Sequence, residues 1–552
     1  MLSFWWPLVH RISTKNLGVL LALSLLSTLL GAARTEAQVP ISFGQTIPAT
    51  ISNPAEVDAY SFNANAGDVI LVMLSADAGL NPEIQLHLLD DTWEASVSGS
   101  GPDTVLLETE ALPANGTYSL TVSDSEGTGT GDYWLFVQRV NSPGGATQIS
   151  FGETQSTSIQ SVHEVDTYTF DALAGDVVLI QMSPDQGLDP EIWIYGPDGS
   201  MLDGFSRVAP YPVDETYELS SPGTYTLLAF DAADLGGGDY GKDTGDYWFF
   251  VQRVNNPEGA TQIDFGQTLT ASIQSVHEMD TYTFDALAGD VVLIRMNPDP
   301  GLDPEIRIYG PDGSYLHGAA TTSPYPVDED FELTSPGTYT VIALDSYDIE
   351  AGDYGMATGN YWLYVQRVNN PGGATKVNFG ETLPASIGVS HEADTYTFDA
   401  FAGDVVIIRM STDTGLDPSV MIYGPDGCRL DWRATTGPSI LDEGFDLIPP
   451  PEDTSCKYTG TYTVIALDSD DIEAGDYGME TGNYWLYLQR VNNPEMATQI
   501  DFGETLSASL DDLYEVDTYT FDALEGDEVL IRMSTDTGLD PEIRLSLMQL
   551  TQ

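Results

Sequence analysis

The feature that most constrains this chain is an internal repeat whose period is close to the size of a small domain. The motif Glu-x-Asp-x-Tyr-x-Phe occurs five times, with its aspartate at Asp58, Asp166, Asp280, Asp394 and Asp517. Successive copies are separated by 108, 114, 114 and 123 residues. Because a compact domain commonly has about 100–150 residues, this period predicts a tandem array of similar domains rather than one large core.

Five further motifs recur in the same phase. They are Phe-Gly, Gly-Asp before an apolar run, Gly-Leu-Asp/Asn-Pro, Gly-Thr-Tyr and Gly-Asp/Asn-Tyr-Trp. With the Pro-containing joints between them, they predict repeat 1 at residues 38–142, repeat 2 at 143–256, repeat 3 at 257–370 and repeat 4 at 371–493. Residues 494–552 form a partial repeat 5 without the last two motifs, so we expect repeat 5 to be less protected from solvent than the others.

Within each repeat the side chains alternate with a period of two, which indicates strands rather than helices. In Asp166-Thr-Tyr-Thr-Phe170, for example, the aromatic residues fall on one face and the threonines on the other. Clusters of Gly, Pro, Asn and Asp separate such runs and favour tight turns. We expect an all-β chain in which each repeat is an antiparallel β-sandwich of about seven or eight short strands.

The amino terminus resembles an export signal. Arg11 and Lys15 precede an apolar run at residues 17–30, and small residues follow up to Ala37. This order is typical of a cleaved signal peptide, which we place at residues 1–37. The alternative is a membrane anchor, but the run is shorter than the roughly 20 residues that a spanning helix needs. We therefore expect a secreted or cell-surface protein with no membrane span in its mature chain.

The charge balance restricts the possible partners. The chain has 18 Lys+Arg against 85 Asp+Glu, a net charge of −67. Such a surface repels phosphate backbones, so nucleic-acid binding is excluded. Hydrophobic residues still make up 42% of the chain, enough to form packed cores rather than an acidic disordered tail.

Taken in order, the repeated motifs resemble the bacterial pre-peptidase C-terminal domain. The matching segments are Asp-x-Tyr-x-Phe-x-Ala, Gly-Asp-Val-Val, Leu-Asp-Pro-Glu-Ile, Tyr-Gly-Pro-Asp-Gly, Gly-Thr-Tyr-Thr-Val and Gly-Asn-Tyr-Trp-Leu. The resemblance covers nearly all of the chain after residue 38. It implies a jelly-roll-like sandwich in an extracellular setting, with an accessory role in secretion or in binding matrix, glycan or protein targets, sometimes with Ca²⁺. No catalytic domain precedes the repeats in this sequence, in contrast to the usual arrangement of that family.

One group of carboxylates recurs at fixed spacing after the Gly-Thr-Tyr strand. Hard cations such as Ca²⁺ take six to eight oxygen ligands from flexible, Gly-containing loops, which makes Ca²⁺ the candidate cofactor. The alternative is an acidic loop whose charge serves only to keep the protein soluble. The candidate metal ligands are Asp231, Asp234 and Asp239 in repeat 2, Asp345, Asp348, Glu350 and Asp353 in repeat 3, and Asp468, Asp471, Glu473 and Asp476 in repeat 4.

Both cysteines, Cys428 and Cys456, lie in repeat 4. In an exported chain, two cysteines in one domain are most simply a disulfide. A catalytic thiol is the minor interpretation, because no histidine falls between them to serve as its base.

Two other repeated residues have both a structural and a functional interpretation. We expect the aspartate of the first motif to cap a turn or to accept backbone hydrogen bonds. The tryptophan of Gly-Asp/Asn-Tyr-Trp is expected to pack within the fold, although such a ring could also stack on a sugar.

The sequence contains neither a His-Glu-x-x-His zinc motif nor a Gly-x-Ser-x-Gly nucleophile elbow. We therefore expect a non-enzymatic protein that binds an extracellular protein or polysaccharide. The alternative is the accessory region of a secreted peptidase or other hydrolase whose catalytic domain is not part of this chain.

Overall fold

The computed structural model describes most of the chain after residue 37. The described residues are 38–88, 93–99, 104–185, 187–232, 241–347, 354–413, 415–436, 439–448, 456–471, 476–511, 513–535 and 538–546, with only the backbone of 470, 471 and 476. All regular elements in these ranges are strands. None of the described residues forms a helix of the length and apolar character needed to cross a membrane. The chain forms two compact units, one with repeats 1 and 2 up to Gly259, the other with repeats 3 to 5 from Ala260.

The first unit contains two sets of nine strands. Repeat 1 has β1 (Val39–Pro40), β2 (Gln45–Ile51), β3 (Val57–Ala64), β4 (Ile70–Ala76), β5 (Pro82–Leu88), β6 (Glu94–Ser98), β7 (Val105–Glu108), β8 (Gly116–Asp124) and β9 (Gly131–Arg139). Repeat 2 has β10 (Thr147–Gln148), β11 (Thr154–Ile159), β12 (Val165–Ala172), β13 (Val177–Pro184), β14 (Pro190–Tyr195), β15 (Met201–Ser206), β16 (Val213–Glu218), β17 (Gly223–Asp231) and β18 (Gly245–Arg253).

The second unit repeats this pattern twice and adds short strands. Repeat 3 has β19 (Thr261–Gln262), β20 (Gln267–Ile273), β21 (Met279–Ala286), β22 (Val291–Pro298), β23 (Pro304–Tyr309), β24 (Tyr315–Ala320), β25 (Val327–Glu332), β26 (Gly337–Asp345) and β27 (Gly359–Arg367). Repeat 4 has β28 (Thr375–Lys376), β29 (Glu381–Ile387), β30 (Ala393–Ala400), β31 (Val405–Thr412), β32 (Pro418–Tyr423), β33 (Arg429–Ala434), β34 (Leu441–Asp446), β35 (Gly460–Asp468), β36 (Asp470–Asp471), β37 (Asp476–Tyr477) and β38 (Gly482–Arg490). Repeat 5 has β39 (Thr498–Gln499) and β40 (Tyr519–Thr520).

Repeats 1 to 4 are β-sandwiches with the same strand order. In repeat 1 one sheet has the order β1-β3-β8-β5-β6 and the other β2-β9-β4-β7. Repeats 2, 3 and 4 reproduce both sheets, for example β10-β12-β17-β14-β15 and β11-β18-β13-β16. All of these pairings are antiparallel except that of the two-residue first strand. Most consecutive strands lie in opposite sheets, as in a jelly roll. The predicted all-β fold of tandem sandwiches is therefore confirmed.

Each sandwich encloses its own apolar core. On β8, Tyr118, Leu120 and Val122 point between the two sheets and are fully buried. They meet the inward residues of the opposite sheet, among them Val72 and Leu135. Equivalent clusters fill the other three sandwiches.

In repeat 2 the first sheet also buries its outer face. On β17 both Leu228 and Phe230 point away from the core of repeat 2, at 0% and 8% exposure. They pack in one cluster with Leu71, Met73 and Phe136 of repeat 1. Strands that are buried on both faces read as continuous apolar runs, as β17 does. The outer face of one sandwich therefore docks on its predecessor.

Repeats 3 and 4 dock in the same way. On β35, Ile465 and Leu467 pack with Leu293, Tyr364 and Val368 of repeat 3. Each pair thus shares an apolar interface in addition to its two cores.

An arginine at the end of the closing strand connects three of the repeated motifs. The Nη1 of Arg253 lies 3.2 Å from Asp176 of the Gly-Asp motif, and its Nε donates to the carbonyl of Asn256 at 2.6 Å. Its guanidinium also lies 5.4 Å from the ring centre of Phe151 in Phe-Gly. These contacts explain why the motifs recur in phase. The corresponding arginines of the other sandwiches are Arg139, Arg367 and Arg490.

The first motif contributes a buried hydrogen-bond chain. Tyr247 donates to Asp166 at 2.6 Å, and its hydroxyl lies 2.6 Å from that of Tyr168. The turn before the strand is capped by Glu164, whose carboxylate accepts the backbone N–H groups of residues 160 and 161. The turn-capping role expected of the aspartate therefore belongs to the glutamate two residues earlier. The other sandwiches contain the same chains, Tyr133 to Asp58, Tyr361 to Asp280 and Tyr484 to Asp394.

Repeat 5 differs from the other four in the part that the structure describes. There its only strands are β39 and β40, which pair in parallel over two residues. Leu530, Met496 and Leu524 are 92%, 82% and 80% exposed. Its described residues therefore do not enclose a core like those of repeats 1 to 4.

Candidate functional site

Three loops meet at one end of repeat 2, and the predicted Ca²⁺ loop is one of them. Asp189, which follows β13, connects all three. Its backbone N–H donates to Asp231 at 2.9 Å, its carbonyl accepts from Ala232 at 2.7 Å, and its carboxylate accepts from the backbone of Ala209 at 2.5 Å. We call residues 187–190, 207–212, 232 and 241–244, and their described counterparts in repeats 3 and 4, the loop end. In repeat 3, Asp303 makes the corresponding bonds.

The first predicted metal ligand of each loop is a buried hydrogen-bond acceptor. Asp345 is 3% exposed, and its two carboxylate oxygens accept from the backbone N–H groups of Asp303 at 2.9 Å and Ala357 at 2.7 Å. This carboxylate therefore joins the start and the end of the acidic loop to the neighbouring turn. The corresponding residues are Asp231, Asp468 and, in the shorter loop of repeat 1, Asp124.

The remaining predicted ligands are not described as side chains. Asp471 and Asp476 are paired through their backbones in the β36–β37 hairpin. Among the described side chains, no group of three or more His, Cys, Asp or Glu is arranged to hold a metal ion. Coordination by these loops stays a prediction. The predicted ligands outside the described residues are Asp234, Asp239, Asp348, Glu350, Asp353 and Glu473.

Repeat 4 has a second carboxylate next to its buried aspartate. Glu480 donates its backbone N–H to Asp468 at 2.9 Å, and its own Oε2 is buried without a hydrogen-bond partner in the described part of the chain. Burial and the negative charge of Glu480 hold the pKa of Asp468 well above its usual range, although the backbone N–H bonds from Asp417 and Glu480 oppose the shift. The position of Glu480 is taken by Ala357 in repeat 3 and by Asp243 in repeat 2.

Two loop ends present an exposed tyrosine. Tyr211 and Tyr325 stand in Pro-Tyr-Pro sequences and are 53% and 52% exposed. In repeat 4, Ser439 occupies the equivalent position. The hydroxyl of Thr435 donates to the carbonyl of Ser439, just as the hydroxyl of Thr321 donates to the carbonyl of Tyr325. The sequence analysis missed these tyrosines, although the repetition of Pro-Tyr-Pro in phase was a visible signal.

Two tryptophans of the closing strands, Trp134 and Trp362, pack against the next repeat. The ring of Trp134 lies 4.6 Å from that of His163, and Trp362 lies 4.5 Å from His391. Each of these indoles is half-buried. The packing interpretation of Trp134 and Trp362 therefore describes their surroundings better than an open sugar platform. His163 and His391 lie at separate joints, and the ring of His277 contacts Tyr347 of its own repeat.

Cys428 and Cys456 are joined by a disulfide in repeat 4. Their Cα atoms are 5.6 Å apart, within the usual range for such a bond. The bridge connects residues 28 positions apart in sequence. It lies at the turn after β32, where Asp426 also accepts the backbone N–H of Lys457 at 2.7 Å.

Several solved structures are similar to parts of this chain. The pre-peptidase C-terminal domain of collagenase from Bacillus anthracis is 18% identical, over 20% of this chain and 98% of that one, with a TM-score of 0.17. The CUB1-EGF-CUB2 domains of rat MASP-1 are 11% identical, over 39% and 99%, with a TM-score of 0.12. The insecticidal delta-endotoxin Cry8Ea1 from Bacillus thuringiensis is 8% identical, over 57% and 53%, with a TM-score of 0.14. No family model and no curated protein matches the chain.

Proposed function

We propose that this chain is an exported, non-enzymatic protein of the pre-peptidase C-terminal type. In this proposal its loop ends bind an extracellular polysaccharide or protein. The amino-terminal signal-like segment supports export, and the repetition of one sandwich supports a binding role, because several copies on one chain can bind a repetitive target with avidity.

The observation that carries the proposal is the way in which the loop ends are held. Asp189 and Asp303 each bond to the residue that precedes the acidic loop and to the loop that carries the tyrosine, so the tyrosine-bearing loop loses little conformational entropy on binding. At the surface of these anchored loops lie Tyr211 and Tyr325. Tyrosine is a favourable contact residue because it combines an apolar ring with a hydroxyl at low entropic cost.

The charge of the chain favours a neutral or cationic target. With a net charge of −67, binding to a strongly anionic polymer would bring like charges together. We therefore expect neutral polysaccharides or basic matrix proteins to bind, and sulfated or phosphorylated polymers not to bind.

We include Ca²⁺ in the proposal as a stabiliser of the acidic loops. Calorimetry should detect heat on adding Ca²⁺, and the melting temperature should rise because the ion binds the folded state. Replacing Asp345, Asp348 and Asp353 by Asn should remove the contribution of repeat 3 to the binding heat and to the rise in melting temperature. Absence of binding heat in the unmodified protein would rule out this part of the proposal.

The binding role is tested on arrays of glycans and matrix proteins with the full chain, with and without Ca²⁺. The double variant Tyr211→Ala/Tyr325→Ala should lose most of the signal. Tyr315→Ala is the matched control, because Tyr315 is 56% exposed but lies on strand β24, away from the loop end. Equal loss in both variants, or loss in neither, would show that the loop ends are not the binding surface.

A further inference from the structure

The joint between repeats 3 and 4 contains a buried histidine. His391 precedes the turn-capping Glu392, is 7% exposed and has a left-handed backbone with φ of 58°. Its ring lies 4.5 Å from that of Trp362, on the closing strand of repeat 3. Its Nε2 has no hydrogen-bond partner in the described part of the chain. The imidazole is therefore a packing element of the joint.

The joint between repeats 1 and 2 is built in the same way. His163 also has a φ of 58°, and its ring lies 4.6 Å from that of Trp134. The ammonium of Lys242 lies 5.3 Å from the centre of the same indole and 2.6 Å from Asp77 of repeat 1. A cation and a histidine therefore share one tryptophan at this joint.

The charges around His391 disfavour its protonation. Arg295 on β22 is 6% exposed and repels a second positive charge at His391. Burial, followed by Arg295, lowers the pKa of His391 to about 3. The carboxylates in this region have other partners. Asp328 pairs with Arg295 and with Arg429 of β33. Asp394 accepts from Tyr484, and Glu392 accepts from the backbone of its own turn.

We propose that the Trp362–His391 joint is proton-sensitive, so that it holds repeats 3 and 4 together at neutral pH and opens more often in acid. A folded-state pKa below that of a free imidazole means that the closed joint binds fewer protons than the open one. Its stability is complete above about pH 6.5 and falls as the pH drops below that value. Acidification would therefore loosen the joint and reduce the rigidity with which two neighbouring sandwiches hold their proposed binding loops.

One joint of the chain has a tyrosine in place of the histidine and serves as an internal comparison. At the joint between repeats 4 and 5, Tyr514 takes the place of the histidine, with a φ of 61° and its ring 4.7 Å from that of Trp485. A tyrosine thus fits the same backbone and keeps the ring contact, but it does not gain a proton in acid. His163→Tyr and His391→Tyr are therefore conservative substitutions.

Hydrogen exchange of the full chain between pH 7.5 and 5.0 tests the proposal. In the unmodified protein, peptides covering residues 357–368 and 388–396 should lose protection by about thirtyfold at pH 5.0, after correction for the intrinsic rate, as expected for an open-state pKa near 6.5. The His163→Tyr/His391→Tyr variant should keep its protection. His317→Tyr, which removes an exposed histidine of β24, should behave like the unmodified protein.

A second measurement needs no variant. Exchange of the imidazole C2 hydrogen, followed by mass spectrometry of the unmodified chain, reports the protonation of His391 directly. We expect His391 to stay neutral through pH 5.0. Protonation of His391 near pH 6.5, or equal loss of joint protection in the tyrosine variant, would overturn the proposal.

Discussion

At the scale of single residues, the few cations of this acidic chain have specific structural positions. Of the 18 Lys+Arg, one arginine in each of repeats 1 to 4 joins the Phe-Gly, Gly-Asp and closing-strand motifs. Arginine suits this corner because its planar fork donates in several directions while its face stacks on an aromatic ring. A lysine would keep the charge and lose this geometry.

Arg253→Lys should therefore destabilise repeat 2 by about 1–3 kcal/mol, the usual range for losing a partly buried, charge-assisted contact. Arg207→Lys is the control, because Arg207 pairs with Glu215 at a more exposed position and such pairs contribute about 0–1 kcal/mol. Urea unfolding, monitored by the hydrogen exchange of β13, would measure the loss of stability in both variants. An equal effect of the two substitutions would contradict the role of the corner.

The buried aspartates of the first motif make a pH-dependent contribution. Burial raises the pKa of Asp280 to about 6, although the hydrogen bond from Tyr361 opposes the shift. Between pH 4 and 6 the folded state therefore binds more protons than the unfolded state, and the contribution of Asp280 to stability falls as the pH rises. Asp280→Asn should remove this dependence in repeat 3. Denaturant midpoints of the unmodified protein and of Asp280→Asn at pH 4 and 7 would show whether this dependence is lost. Asp285→Asn, at an exposed position of the same strand, is the control.

Residue roles were only partly predictable from the sequence. The repeated motifs identified which positions matter, because each carries a turn, a strand end or a corner contact. They did not identify partners, since Tyr247 and Asp166 are 81 positions apart and nothing local connects them. The turn cap is Glu164 rather than the aspartate, which is engaged by the sequence-distant Tyr247.

At the scale of elements, the difference between β8 and β17 explains how sandwiches pair. Both strands occupy the same place in the strand order, yet β8 alternates while β17 is apolar on both faces. Thr121 of β8 corresponds in register to Leu228 of β17. The outer face of β8 therefore has a polar residue where that of β17 has a buried leucine.

Leu228→Ala should destabilise repeat 2 by about 2–5 kcal/mol, as for other large-to-small substitutions at buried positions. Because Leu228 packs against Leu71 and Met73, hydrogen exchange in β4 of repeat 1 should also become faster. Thr121→Ala should change stability by less than about 0.5 kcal/mol. An effect confined to repeat 2 would contradict the shared interface.

The disulfide of repeat 4 gives a further prediction. Closing a loop between residues 28 positions apart should stabilise the folded state by about 3–4 kcal/mol on the chain-entropy model. Cys428→Ser/Cys456→Ser should lower the melting temperature of repeat 4 without affecting repeats 1 and 2. Labelling of both thiols in the absence of reductant would contradict the bridge.

The strands could be predicted from alternation and turn residues, but their order could not. In every sandwich several paired strands are far apart in sequence, as β12 and β17 are. The pairing depends on the whole core rather than on local pattern. The repeated Pro-Tyr-Pro of Tyr211 and Tyr325 is visible in the sequence, whereas the exposure of these tyrosines is known only from the placed loops.

At the scale of the whole molecule, the chain consists of two compact units built from one repeated sandwich. Each of repeats 2 and 3 anchors its loop end through a single aspartate and presents a tyrosine there. Repetition of one surface supports the proposed role, which is to bind a repetitive target without changing it chemically.

One measurement tests this claim most directly. The full chain is incubated with the glycan or matrix protein that it captures on the arrays, and both the bound fraction and the mass of the target are followed over time. The account predicts saturable binding that depends on Tyr211 and Tyr325 and leaves the target mass unchanged. Cleavage or modification of the target by the purified chain, or binding unaffected by both tyrosines, would contradict it.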